Sequence, residues 1–135
     1  MAEQLKLEVV TPEKRVLDER VDAVTVPGLN GEMQFLPGHT PLISQLRSGI
    51  LSYVQGGTSQ RLMVSGGFVE INNDRVSVLA EVAEMSDEVD TALARLERDE
   101  AEKALSGWSG TEEELEETKN KLERAQARLQ LTAGS

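Results

Sequence analysis

The chain has 135 residues, one His, no Cys and only four aromatic residues, with 24 acidic against 14 basic side chains and a formal charge of −10. Those numbers exclude a disulfide framework, an iron–sulfur cluster, a thiolate zinc site, a cysteine nucleophile and a multi-histidine metal site. They also argue against a nucleic-acid partner held by phosphate neutralisation, which needs Lys and Arg. One domain, or one domain with a small appendage, is expected at this length. Its core has to be built from Val, Leu, Ile, Ala and Met.

The opening Met1-Ala2-Glu3-Gln4-Leu5-Lys6 lacks the basic and apolar regions of a signal peptide, and it is not rich in Arg and Ser like a transit peptide. No apolar run approaches the ~20 residues of a membrane helix. Membrane association is therefore expected only through a partner.

Residues 1–85 read as strands. Leu5–Val9 alternates apolar and polar side chains, the period of a half-buried strand. Val21–Val26 follows, with Pro27-Gly28 expected to end it. Ile50–Val54 and Gln60–Val64 flank Gly56-Gly57, and Phe68–Ile71 comes after Gly66-Gly67; both glycine pairs are read as hairpin turns. Asn72-Asn73-Asp74 turns the chain into a last run, Arg75–Val82. All four Pro and eight of the 11 Gly precede residue 85. Short strands punctuated by frequent turns read as an all-β sandwich or barrel.

Residues 86–135 change grammar and read as a C-terminal antiparallel α-helical hairpin. Val89, Ala92, Leu93 and Leu96 recur at i, i+3, i+4 and i+7, extended by Ala101, Ala104 and Leu105. Ser86 is the expected N-cap, with Asp87 and Glu88 in the first turn. Thr111 to Glu114 has the form of a capping box. Leu115, Leu122 and Leu129 then fall at intervals of seven, with Ala125 on the same side. Each stripe is narrow, so the hairpin leans on the sandwich or on another protein. The arm is also the more densely charged half: residues 86–135 carry 13 acids and 7 bases, against 11 and 7 in residues 1–85.

Reactive chemistry is scarce. There is no G-x-x-x-x-G-K-[ST] phosphate loop. His39 stands between Pro37 and Pro41 with no base partner in sequence, which reads as a loop residue bonded locally. Glu32 is the one acid of the β half singled out, at an expected loop-to-strand junction. Trp108 is either an anchor on the sandwich or a surface loop aromatic. An acid–base enzyme built on Glu32 and His39 lacks a nucleophile, metal set or cofactor loop, so no catalytic or metal site is expected.

The run Val26 to Ile43, with its Gly31-Glu32 pair and Pro37-Gly38-His39-Thr40-Pro41-Leu42, resembles the signature of the epsilon subunit of F-type ATP synthases. Val64-Ser65-Gly66-Gly67-Phe68-Val69-Glu70-Ile71 and Leu5 to Glu13 match it too. The resemblance implies a non-catalytic subunit of the rotor's central stalk, coupling proton transport to ATP synthesis. Its implied partners are the gamma subunit, the c-ring and, through the hairpin, the catalytic alpha and beta subunits. On that analogy Glu32, Met33, Pro37, Gly38, His39, Thr40 and Pro41 lie near the ring, and Ser65, Gly66 and Gly67 near the gamma or ring interface. The hairpin of such subunits folds onto the sandwich or extends and inhibits ATP hydrolysis. Lys119, Lys121, Arg124 and Arg128 are then candidates to meet acidic catalytic subunits, or else form a dipole-matched solvated face.

Some members of that family bind ATP through an Ile/Leu-Asp-x-x-Arg-Ala motif. Here the stretch is Val89-Asp90-Thr91-Ala92-Leu93-Ala94, in which Asp90 and Ala94 match and Leu93 replaces the Arg. Arg95 lies about 200° further round the helix. ATP binding is accordingly expected to be weak or absent, with no other cofactor. The implied location is peripheral, on the cytoplasmic side of a bacterial plasma membrane or the stromal side of a thylakoid. The competing reading is an unrelated adaptor that presents the hairpin to a helical partner.

Overall fold

The computed structural model describes residues 3–133; Met1 and Ala2, which open the leader reading, lie outside the described residues, as do Gly134 and Ser135. Ten strands form two five-stranded sheets, and two helices follow. In chain order the strands are β1 (Leu5–Val10), β2 (Arg15–Val21), β3 (Ala23–Gly28), β4 (Gly31–Phe35), β5 (Leu42–Gln45), β6 (Gly49–Gln55), β7 (Thr58–Ser65), β8 (Phe68–Asn72), β9 (Arg75–Leu79) and β10 (Val82–Glu84). The helices are α1 (Thr91–Ser106) and α2 (Glu112–Ala133). One sheet has the order β2-β1-β9-β8-β5 and the other β10-β7-β6-β3-β4.

The alternating strands turn one face inward. Leu5, Leu7 and Val9 of β1, Val69 and Ile71 of β8, and Val76 and Val78 of β9 meet Val24, Val26, Phe35, Leu51, Tyr53, Leu62 and Val64 of the opposite sheet in one buried cluster. This is a sandwich core made almost without aromatics, as the composition requires.

Three expectations about the strands are corrected. Pro27 and Gly28 do not end a strand; they are its last rungs, paired with Glu32 and Gly31, and Pro27 can sit there because it lies at the strand's end. The run Arg75–Val82 is broken at Ala80-Glu81, where the chain leaves β9 for β10 in the other sheet. The two glycine pairs also differ in kind. Gly56 and Gly57, at φ 59° and 82°, close the β6–β7 hairpin with Gln55 opposite Thr58. Gly66 and Gly67 instead carry the chain from one sheet to the other, since β7 pairs with β6 and β10 while β8 pairs with β5 and β9. A Cβ on Gly67 would collide with the Leu79 carbonyl, so only glycine fits that crossing.

The helical half also departs from its expected details. Ser86 does not cap α1: Ser86–Glu88 form a separate 3₁₀ turn, and Glu88 Oε1 accepts the Met85 N–H at 2.9 Å. Asp90 is the cap, its Oδ1 accepting the Leu93 N–H at 3.1 Å. Thr111 does cap α2 through the Glu114 N–H at 3.1 Å. The expected stripe of α1 holds only in part: its members Ala101 and Leu105 are buried and half-buried, but Leu93 and Leu96 are 50% and 54% exposed, and Ala94, outside the stripe, is buried instead. Small side chains allow the close approach of α1 to α2, and the bulkier leucines are left outside. The helix α2 has a second buried face, Ala127 and Leu131, set on Met63, Ile50 and Val82 of the sandwich and on Val89 of the link into α1. The arm thus lies on the β6–β7 face, with α2 innermost and α1 packed upon it.

Candidate partner-binding surfaces

The expected site residues fall into three separate places. Glu32 is exposed on the edge strand β4, beside the Leu29-Asn30 turn. Met33 is half-buried next to it. His39 lies past the other end of β4, in the segment that crosses to β5. Three residue steps of extended chain carry Glu32 to Phe35, about 10 Å, and the turn follows. Glu32 and His39 are therefore at opposite ends of a strand and cannot act as one pair.

The Pro37–Pro41 segment is held from within. His39 N–H donates to the Leu36 carbonyl at 3.1 Å, Gly38 N–H donates to Asp74 Oδ1 at 2.7 Å, and His39 Nδ1 lies 2.7 Å from the Thr40 carbonyl. The imidazole packs edge-on against Phe35 at 5.1 Å. Thr40 and Pro41 are exposed beside Leu36, and the segment Leu36 to Leu42 carries no Asp, Glu, Lys or Arg.

Ser65 is 2% exposed, and Gly66 follows it beneath α2. The Ser65 hydroxyl accepts the Arg124 Nε–H at 2.8 Å and shares a 2.7 Å bond with Ser48. In this conformation Ser65 is closed to an outside partner by the chain's own arm.

The arm's basic residues divide likewise. Lys119 and Lys121 are exposed. Arg124 reaches Glu81 at 3.1 Å, and Arg128 forms a two-pronged bond with Glu84 at 2.8 and 3.0 Å and lies 4.0 Å from Glu97 of α1. The bonds from the Glu84 carboxylate hold the Arg128 guanidinium above its ordinary pKa, against the opposing effect of burial. Arg61 of β7 donates to the Leu131 and Gln130 carbonyls at 2.9 and 3.3 Å, where a cation suits the helix C-terminus. Arg47 and Glu123 meet at 3.1 Å. Asp90, the weak nucleotide candidate, is occupied as a helix cap.

Sequence reasoning did not pick out the outer face of the β2-β1-β9-β8-β5 sheet. Phe68 and Leu79 stand side by side on it, 50% and 57% exposed, with Ile43 nearby at 66%. Strand alternation carried the signal: Val69 and Ile71 point inward, so Phe68 must point out with Glu70. Trp108 is half-buried in the interhelical loop, its indole beside Gly110. Among the described residues no cluster of His, Cys, Asp and Glu is arranged to hold a metal, and no helix is long and apolar enough to cross a membrane.

The family model for the β-sandwich domain of the ATP synthase delta/epsilon chain matches residues 4–86. The chain is 42% identical over 135 residues to the ATP synthase epsilon chain of Geobacter metallireducens, covering 100% of this chain and 98% of that one. It is 45% identical over 132 residues to that of Syntrophobacter fumaroxidans, covering 96% and 91%. A chain of the Euglena gracilis mitochondrial ATP synthase, in a structure of OSCP, F1 and the c-ring, superposes with a TM-score of 0.82 at 27% identity, covering 96% of this chain and 81% of that one. A chain of the Tetrahymena thermophila central stalk and c-ring has the same fold, with a TM-score of 0.66 at 14% identity, covering 96% and 97%.

Proposed function

This chain belongs to the ATP synthase epsilon-chain family, whose subunits are non-catalytic, and from that premise we propose how its surfaces are divided in the rotor. The outer face bearing Ile43, Phe68 and Leu79 docks on the gamma subunit. The observation that carries this reading is that the arm occupies the β6–β7 face and leaves three large apolar side chains uncovered on the opposite sheet. Exposed apolar side chains grouped on one face mark an interaction surface. The sandwich ends supply the ring contact, through Glu32 and Met33 at one end or the charge-free Pro37–Pro41 segment at the other. The chain is peripheral, on the cytoplasmic side of a bacterial plasma membrane.

Residues 1–85 serve as the docking domain and residues 86–135 as a regulatory arm. Docked, the arm ties Arg124 and Arg128 to acidic partners on its own sandwich. Released, it offers them with Lys119 and Lys121 to the catalytic subunits and slows ATP hydrolysis. The test is co-purification with gamma. Phe68→Glu and Leu79→Glu are expected to weaken that complex at least tenfold while far-UV dichroism stays native, because both side chains already face solvent. A Phe68→Glu Leu79→Glu chain that binds gamma as well as the parent rejects the assignment of this face.

A further inference from the structure

We propose that Arg128 is the keystone of an electrostatic clasp that sets whether the arm stays on the sandwich; this rests on reading the arm as a movable element. The side chain of Arg128 is 19% exposed and ties three elements: it leaves α2, grips Glu84 of β10 with both prongs, and approaches Glu97 of α1. The apolar contact beneath α2 is small, with Ala127 and Leu131 the two side chains that α2 contributes to it. Much of the attachment is therefore polar: Arg128 to Glu84, Arg124 to Ser65 and Glu81, Arg47 to Glu123, and Arg61 to the last carbonyls of α2.

These contacts are graded. Arg47–Glu123 and Arg124–Glu81 each have a partner about half exposed or more, at 50% for Arg47 and 65% for Glu81, and salt screens such pairs. Arg128–Glu84 is recessed, with 19% and 25% exposure, and resists screening. Salt therefore loosens the rim while the Arg128 pair holds. Removing that pair frees α1 and α2 together, because α1 meets the strands chiefly through α2. Both halves of the chain are acidic, so nothing at long range draws them together once the local pairs are gone.

The chain has no Cys, so two labels can be placed without removing any. Ser59→Cys on β7 and Ala133→Cys at the end of α2 report the gap by resonance energy transfer in the full-length chain. In about 0.1 M salt the labels are expected to be close, with an open population that rises toward 1 M. Glu84→Gln and Arg128→Met are each expected to raise the open-to-docked ratio about tenfold at every salt concentration, and Glu97→Gln by less. Exchanging the charges, Arg128→Glu with Glu84→Arg, restores docking. An unchanged ratio in both single variants overturns the clasp, as does a charge exchange that stays open. The labels report on the free chain, so either result leaves gamma co-purification to judge the rotor reading separately.

Discussion

Asp74 and Gly38 are 36 positions apart in sequence, yet the Asp74 carboxylate accepts the Gly38 N–H at 2.7 Å. The bond joins the β8–β9 turn to the segment that crosses between sheets, and so fixes the shape of the Pro37–Pro41 loop. The Asp74 carbonyl also accepts the Lys6 N–H at 2.9 Å. Asp74→Ala is expected to cost about 1–2 kcal/mol, since it removes a charge-assisted bond and places Ala at φ 59°, where Asp and Asn are better tolerated. Asp74→Asn recovers the backbone part. Chemical denaturation of the three chains separates the two effects, and equal midpoints for Ala and Asn would show that the backbone conformation is not a factor.

Truncation after Met85 is expected to leave the sandwich folded and still able to bind gamma, while ATP hydrolysis by the assembled enzyme rises. It also uncovers Met63, which is fully buried in the intact chain, together with Ile50 and Val82. The truncated chain should therefore bind a hydrophobic dye, and Met63→Gln should reduce that binding. Unchanged hydrolysis after truncation would show that the arm does not inhibit.

Gly67 and Gly57 give a matched pair of substitutions. Both have positive φ, 89° and 82°, but a Cβ at Gly57 meets open space and one at Gly67 meets the Leu79 carbonyl. Gly57→Ala is expected to cost about 1 kcal/mol and Gly67→Ala about 3 kcal/mol or more. Thermal unfolding of the two variants checks the order, and the reverse order would contradict the sheet crossing described above.

Asp90→Ala removes the α1 cap, at about 1 kcal/mol. It is expected to alter the helix signal and its melting but not any response to ATP, because Leu93 stands where a cationic contact would be needed. Calorimetry that detects micromolar ATP binding to the parent, lost in Asp90→Ala, would reverse this.

Tyr53 gives a prediction at alkaline pH. Burial, and then the neighbouring Glu19 carboxylate, push its phenol above the usual value of 10.0. A folded pKa above the unfolded one contributes stability that is full below pH 10.0 and falls as pH rises through the folded value. Phenolate absorbance is readable because Tyr53 is the chain's one tyrosine. Its midpoint should lie above that of the denatured chain, and Glu19→Gln should lower it. Coincident midpoints would remove both causes.

Period-two runs made most of the core legible, since Leu5, Leu7, Val9, Val69, Ile71, Val76 and Val78 all point inward as their alternation requires. The edge strands were not legible. β2, with sequence RVLDERV, is largely solvated and pairs its charges with β1, and β5 has only four residues behind Pro41. Neither carries an alternation that a core would impose. The first turns of α1 were misread, Leu93 and Leu96 for Ala94, because leucines weigh more than alanines in a hydrophobic stripe, whereas close helix packing selects the smaller side chain. The second face of α2 escaped for a related reason: Ala127 and Leu131 are flanked by Arg124, Arg128 and Glu123, which read as solvated until Glu81, Glu84 and Arg47 are seen opposite them.

The sheet crossing at Gly66-Gly67 puts the arm-covered face and the exposed apolar face almost in series. Ser65 lies under Arg124 of the arm, and Phe68 belongs to the uncovered apolar face of the other sheet. Only two residues intervene, and neither has a side chain that could absorb a displacement. Gly67 is wedged against the Leu79 backbone, directly before the apolar pair Phe68 and Leu79. The arm's footing and the exposed apolar patch are thus separated by the thickness of the sandwich in space, but by a short, tightly seated hinge pin in covalent terms.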